Sequence, residues 1–319
     1  MRIGMLASCS TFSWRHGLVS KSLLAVLWVS ASLPGAPAQQ ANEKSFATPG
    51  EAVQALYIAA KNNDQTALSA IFGNDADALL HSGDEVADKK AAEGFLRRYE
   101  EMHRVVIEPD GTATLYVGAG NWPFPISIAK NPSGAWYFDT ESGKAEILYR
   151  RIGTNENDVI EIFYALVQAQ REYASSVRAG ESSKHYAMKF ISDEGKENGL
   201  YWKTSGGEPV SPIGPLIAGA ASEGYSKKSA PFHGYYFRIL TKQGSVSKDG
   251  AKDYIVNGNL VRGFAFIAYP AQYRNSGVMT FIVNQNGIIY QKDLGPDTQS
   301  IASDMTEYNP DDTWDPVDQ

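Results

Sequence analysis

From Val53 through Leu56, Tyr57 and Ala60 the apolar positions recur at steps of three and four, the pattern of one helix face. Thr48-Pro49-Gly50-Glu51 marks its start. Thr48 can accept a bond from the Glu51 amide, the Glu51 carboxylate can return one, and Pro49 suits the first helical position. A second, short helix is predicted after Asp64, carrying Leu68, Ile71 and Phe72 and stopped by Gly73. A third covers about 88–103, with Ala92, Phe95, Leu96 and Tyr99 on one face. The period then drops to two, which predicts strands over 105–108, 112–117, 126–130 and 136–139. Pro109-Asp110-Gly111 and Asn131-Pro132-Ser133-Gly134 supply turns between them.

The second half repeats the plan on a larger scale. Asn155-Glu156-Asn157-Asp158 precedes a helical stripe of Val159, Ile162, Phe163, Leu166, Val167 and Tyr173, so one long helix is predicted from about 155 to 175. Its acidic first turn suits the helix dipole. Residues 181–229 are rich in Gly, Ser, Pro and Lys and read as a loop with a short helix near 216–221. Strands follow at 235–240, 264–269, 278–283 and 288–292, the last two joined by Asn284-Gln285-Asn286-Gly287, which tolerates positive φ. The fold class expected is α+β in two units, 45–153 and 154–317, each with helices on an antiparallel sheet. A length of 319 residues suits two domains, each with its own core.

The first 38 residues have the parts of a cleaved secretory signal. Arg15, His16 and Lys21 give the basic part, 23–29 the apolar run, and Ala36-Pro37-Ala38 the cleavage site, so the mature chain is expected to start at Gln39. The run is too short to span a bilayer, and no later segment comes closer. Cys9, the only cysteine, falls in this leader, so the mature protein has no disulfide, thiol nucleophile or thiolate ligand. Arg2, Arg15 and Lys21 leave with it, taking the formal charge from −7 to three units more negative. No contiguous basic stretch offsets that balance, and phosphate binding rests on clustered Lys and Arg; nucleic acid is therefore disfavoured as a partner.

Three resemblances follow from particular phrases. The helices and meander of the first half, with Ala67-Leu68 in a helix after Asn63-Asp64, resemble the nuclear transport factor 2-like (SnoaL-like) cone, which implies a pocket and names no catalytic residue. The second half resembles a type IV pilin or pseudopilin head. Asn155-Glu156 opens a helix ending in Gln168-Ala169-Gln170-Arg171-Glu172-Tyr173, followed by Gly234-Tyr235-Tyr236-Phe237, Ala268-Tyr269-Pro270-Ala271 and the 277–283 strand. Glu156, Asp158 and Glu161 stand where pilins carry an apolar half-helix, so filament assembly by the usual route is not implied. Nearly the whole mature chain resembles the bacterial DUF2950 family. Trp122-Pro123-Phe124-Pro125, Pro231-Phe232-His233-Gly234-Tyr235-Tyr236-Phe237, Tyr290-Gln291-Lys292-Asp293-Leu294-Gly295 and Asn309-Pro310-Asp311-Asp312-Thr313-Trp314 carry it. It implies a bacterial source and an envelope location, and brings no activity.

Candidate chemistry is sparse. His81 and Asp84 could act as base and orienter, with His103, Tyr99 and Trp122 near the mouth of the cone. The plainer alternative has Asp84 capping a turn and both histidines solvated. His233, Tyr235 and Tyr236 could stack a flat or sugar-like ligand, or could belong to a strand packed inward. Asp304, Asp311 and Asp312, with neighbouring acids, could attract calcium, but no complete calcium-loop motif is present and a solvated tail anchored by Trp314 is the simpler reading. The sequence contains no phosphate loop, dinucleotide fingerprint, G-x-S-x-G elbow or H-E-x-x-H site, and no cofactor is expected. The leading expectation is a non-enzymatic envelope protein that binds a partner, such as a component of a pilus-like assembly. The alternative is a small-molecule binder or hydrolase using the cone.

Overall fold

The computed structural model describes residues 43–178, 181–203, 211–223, 225 and 230–317. The expected leader, its cleavage site and Cys9 lie outside the described residues, as does Asp318 of the acidic tail.

The first half opens with α1 (Pro49–Lys61), α2 (Gln65–Phe72), a 3-10 turn at Gly73–Asp75, α3 (Ala76–Leu80) and α4 (Glu85–Glu101). Thr48 caps α1 by accepting from the Glu51 amide at 3.1 Å. The return bond from the Glu51 carboxylate reaches the Ala47 amide instead of that of Thr48. Asp64 caps α2 through the Ala67 amide, and Gly73 stops it at φ 66°. The third predicted helix begins three residues earlier than expected, because Asp84 rather than a later residue caps it, accepting from the amides of Val86 and Ala87. It also ends sooner, and His103 becomes the first residue of a strand.

That strand belongs to a five-stranded antiparallel sheet made of β1 (His103–Ile107), β2 (Ala113–Val117), β3 (Trp122–Pro123), β4 (Ile128–Lys130) and β5 (Trp136–Phe138). The order is β1-β2-β4-β5, with β3 also on β2. Leu115, Ile128 and Phe138 are fully buried in one apolar cluster with Leu56, Ile71 and Phe72 of α1 and α2. The sheet thus turns its hydrocarbon face to the helices.

α5 (Thr140–Tyr173) is a single helix of 34 residues. The sequence predicts a start near 155; Asp139, just after β5, instead caps the helix through the Ser142 amide, and the chain runs helical straight through Gly153. Glycine costs a helix about 1 kcal/mol against alanine, too little to break one held at both ends by packing. A β-carbon on Gly143 would stand 2.7 Å from Ile126, so the helix passes the segment leading into β4 too closely for any larger residue.

Beyond α5 come α6 (Gly214–Glu223), β6 (Tyr235–Leu240), β7 (Lys242–Gln243), β8 (Lys252–Asp253), β9 (Ile255–Val256), β10 (Asn259–Leu260), β11 (Ala265–Pro270), β12 (Met279–Asn284), β13 (Ile289–Asp293), α7 (Thr298–Asp304), β14 (Glu307–Tyr308) and β15 (Asp315–Pro316). A second five-stranded sheet, ordered β15-β13-β12-β11-β6, is antiparallel throughout. α5 lays Val159, Phe163, Leu166 and Val167 into its core, with the Phe163 ring edge-on to Phe237 and tilted against Phe266. Every residue of β11 is buried, so the sheet is covered on both faces there. Among the described residues no helix is long and apolar enough to cross a membrane.

Candidate functional site

The most distinctive local geometry sits where β6 begins. Phe232 and Tyr235 exchange both backbone bonds, at 2.8 and 3.1 Å, across a loop of two residues, His233 and Gly234. Both have positive φ, 50° and 74°, the requirement of a type I′ turn. Asn-Gly is the common solution; histidine at the first position is a less favourable choice that places an imidazole at the tip.

Asp84, Asn155 and Asp158 bond to this turn or pack on it. The buried Asp84 carboxylate, besides capping α4, accepts from the Gly234 amide at 3.0 Å and from the Tyr225 hydroxyl at 2.8 Å. Asn155 of α5 donates to Ser276 O at 2.8 Å, and a β-carbon on Gly234 would meet its Nδ2 at 2.5 Å, which makes glycine obligatory twice over. Asp158, one helical turn further, pairs with His233 Nδ1 at 2.8 Å. Four protein donors converge on Asp84, which is how a carboxylate at 2% exposure is satisfied.

Below the same junction Arg151 of α5 donates to Ala78 O at 3.0 Å, to Leu79 O at 2.5 Å and to Asn275 Oδ1. It thereby satisfies the last carbonyls of α3, the role a cation plays well at a helix C-terminus. Asn275 in turn donates to His81 O at 2.7 Å. Burial lowers the Arg151 pKa from its ordinary value, with nearby Asp88 opposing that shift.

His233 and Asp158 open onto a groove of about 240 Å3, walled by Ile162 and Glu161 of α5, by Leu216, Gly219 and Ala220 of α6, and by Phe232. One wall is hydrocarbon. The other carries two carboxylates three residues apart on one helix face.

The remaining sequence candidates scatter. His81 is exposed and makes no hydrogen bond or ion pair with Asp84 among the described residues, so the base and orienter pairing does not form. His103 is exposed too; its ring stacks on Tyr99 at 3.8 Å and its Nδ1 donates to Tyr99 O, while Tyr99 stacks on Tyr57. Burial raises the Tyr99 pKa. Trp122 is 37% exposed, with the guanidinium groups of Arg98 and Arg150 at 6.0 and 5.2 Å from its ring. Tyr235 is fully buried, its hydroxyl donating to Met279 O, which removes it from any surface ligand. Tyr236 is half-buried against Tyr269. Asp304 and Asp312 are exposed, and Asp311 folds back on Thr313, whose hydroxyl and amide hold its pKa low. Among the described residues no three His, Cys, Asp or Glu side chains are grouped to hold a metal ion.

Of the expected set, the structure brings Tyr99 and His103 together by stacking, and Asp84 and His233 together at the turn, where Asp84 holds the Gly234 amide. Asp158, Glu161, Tyr225, Asn155 and Arg151 were missed. In sequence, Asp158 and Glu161 read as the acidic start of a helix beginning near 155. With the helix beginning at Thr140, that explanation lapses and they stand mid-helix facing His233.

No curated protein and no solved structure matches the chain. One family does: the family described as "protein of unknown function (DUF2950)" matches residues 43–317. The match takes in both sheets, α5, and every residue that holds the turn, and on it the chain belongs to the DUF2950 family.

Proposed function

We propose that the protein is exported by its N-terminal leader, with Gln39 as the mature start, and works in the periplasm or at the cell surface by binding another envelope component. The observation that carries this reading is the groove: a surface of hydrocarbon and carboxylate, with an imidazole fixed at its rim by Asp158. The lining suits holding a partner, and the turn that presents His233 is braced from both halves of the chain, by Asp84 and by Asp158. We read residues 45–153 as a cone like that of nuclear transport factor 2 and 154–317 as a domain like a pilin head; helices on an antiparallel sheet in each half support that reading.

Filling the groove tests the reading. Ala220→Trp places an indole in the space between α6 and α5. Wild-type protein retains one specific component from bacterial envelope fractions, and the filled variant releases it. A wild type that retains nothing specific, or a variant that retains the same component equally well, defeats the proposal.

A further inference from the structure

We infer, resting on the groove reading above, that the occupant is the side chain of a lysine carried by a protein partner. Size comes first. At about 240 Å3 the space falls below the ~300–1,000 Å3 of pockets that enclose a drug-sized ligand, so it takes one side chain rather than a whole molecule. It is also open to the surface, as the approach of a side chain projecting from a larger body requires.

Chemistry comes second. A lysine has a hydrocarbon stem and a compact ammonium end, and favours sites where the stem lies on apolar surface while the head stays near water. Ile162, Leu216 and Ala220 offer the apolar surface, and Asp158 and Glu161 offer negative charge at the rim. Glu161 is exposed and has no hydrogen bond or ion pair among the described residues, and among those residues no Lys or Arg lines the groove. Among the described residues the rim charge meets no strong cation.

Geometry separates lysine from arginine. Guanidinium binds best in a two-pronged contact with both oxygens of one carboxylate. Asp158 already has one oxygen on His233 Nδ1 at 2.8 Å, and Glu161 lies on the next turn of the helix. Two carboxylates approached from different directions suit an ammonium, whose three donors rotate freely.

The test titrates the full chain with a capped Ala-Lys-Ala peptide, read by nuclear magnetic resonance, beside peptides carrying norleucine, arginine or glutamate at the centre. The lysine peptide gives saturable shifts at Glu161, Ile162, Gly219 and His233, and its affinity falls with rising salt. Loss of the charge in the norleucine peptide, or of the rim carboxylate in Glu161→Gln, weakens binding by roughly tenfold, the factor that corresponds to about 1.4 kcal/mol. Glu161 is exposed, so that variant folds as the wild type does. Equal binding of the norleucine peptide, preference for the glutamate peptide, or absence of saturable shifts in the groove overturns the inference. An envelope partner still retained after acetylation of its lysines overturns the lysine inference and leaves the binding reading standing. Loss of all specific retention by the wild type defeats the binding reading, while the peptide titration still decides the lysine.

Discussion

The phenol oxygen of Tyr235 occupies the space in which a β-carbon on Gly277 would stand. Tyr235 is fully buried at the start of β6, where burial, reinforced by Glu156, raises its pKa far above the ordinary range. Glu156 accepts from the Val278 and Met279 amides at 2.9 Å, so the same corner fixes α5 to β12. Gly277→Ala is expected to cost about 1–3 kcal/mol, the usual penalty for overfilling a packed site. Tyr235→Phe removes the nearest clashing atom and leaves the ring carbons at 2.5 and 2.7 Å, so the double variant should be less destabilised than the sum of the two singles without recovering the wild-type stability. Urea unfolding of the four proteins measures this; strict additivity contradicts it.

His233 should be a poorer turn former than the residue that chemistry would choose. His233→Asn keeps positive φ cheaply and gives an Asn-Gly turn, at the loss of the Asp158 pair. Because that pair is partly exposed, it is worth about 0–1 kcal/mol. The variant is therefore expected to match or exceed the wild type in thermal midpoint while losing retention of the groove partner. A clear fall in midpoint would show that the imidazole is there to hold the fold.

Removing the guanidinium of Arg151 leaves the carbonyls of Ala78 and Leu79 without their donor. Arg151→Met keeps the stem, and each buried acceptor left unmade costs about 1–3 kcal/mol. Amide hydrogen exchange should speed up first in α3 and around Asn275, with α1 and the first sheet less affected. Uniform acceleration across the chain is the contrary result.

Alkaline pH should unfold the protein through its tyrosines. Burial pushes Tyr137, Tyr173 and Tyr254 each up to about 12 from an ordinary 10. The folded state then holds protons that the unfolded chain gives up, so the stabilisation is complete below pH about 10 and is lost as pH rises towards 12. Urea midpoints measured across this range should be flat and then fall, together with a rise in tyrosinate absorbance. A fall that begins well below pH 10 points to other groups.

Most of the regular structure was legible because it obeys one period at a time. Of the predicted face of α1, Val53 and Leu56 are buried and Tyr57 and Ala60 half-buried, and β6 appears at its predicted residues. Misreadings arose where local signals competed. Asn155-Glu156-Asn157-Asp158 resembles a helix start, yet Asp139 had already begun the helix, and nothing in a window around 155 reveals that. Short strands such as β7, β8 and β14 have two residues each, too few for any period to show. The site was half legible. His233-Gly234 stood out as a sequence phrase, whereas its meeting with Asp84 joins positions 150 residues apart and depends on how the first helices turn.

The continuity of α5 sets a rule for how this chain tolerates changes in length. Each residue added to or removed from the helix between Gly143 and Asn155 would rotate everything after it by about 100° and shift it by about 1.5 Å. Asn155, Asp158 and Glu161 would then face away from the turn that Asp84 holds, while Gly143 stayed wedged at Ile126. Length variation among members of the family should therefore gather in the segment between α5 and β6, and the spacing from 143 to 158 should be fixed to the residue.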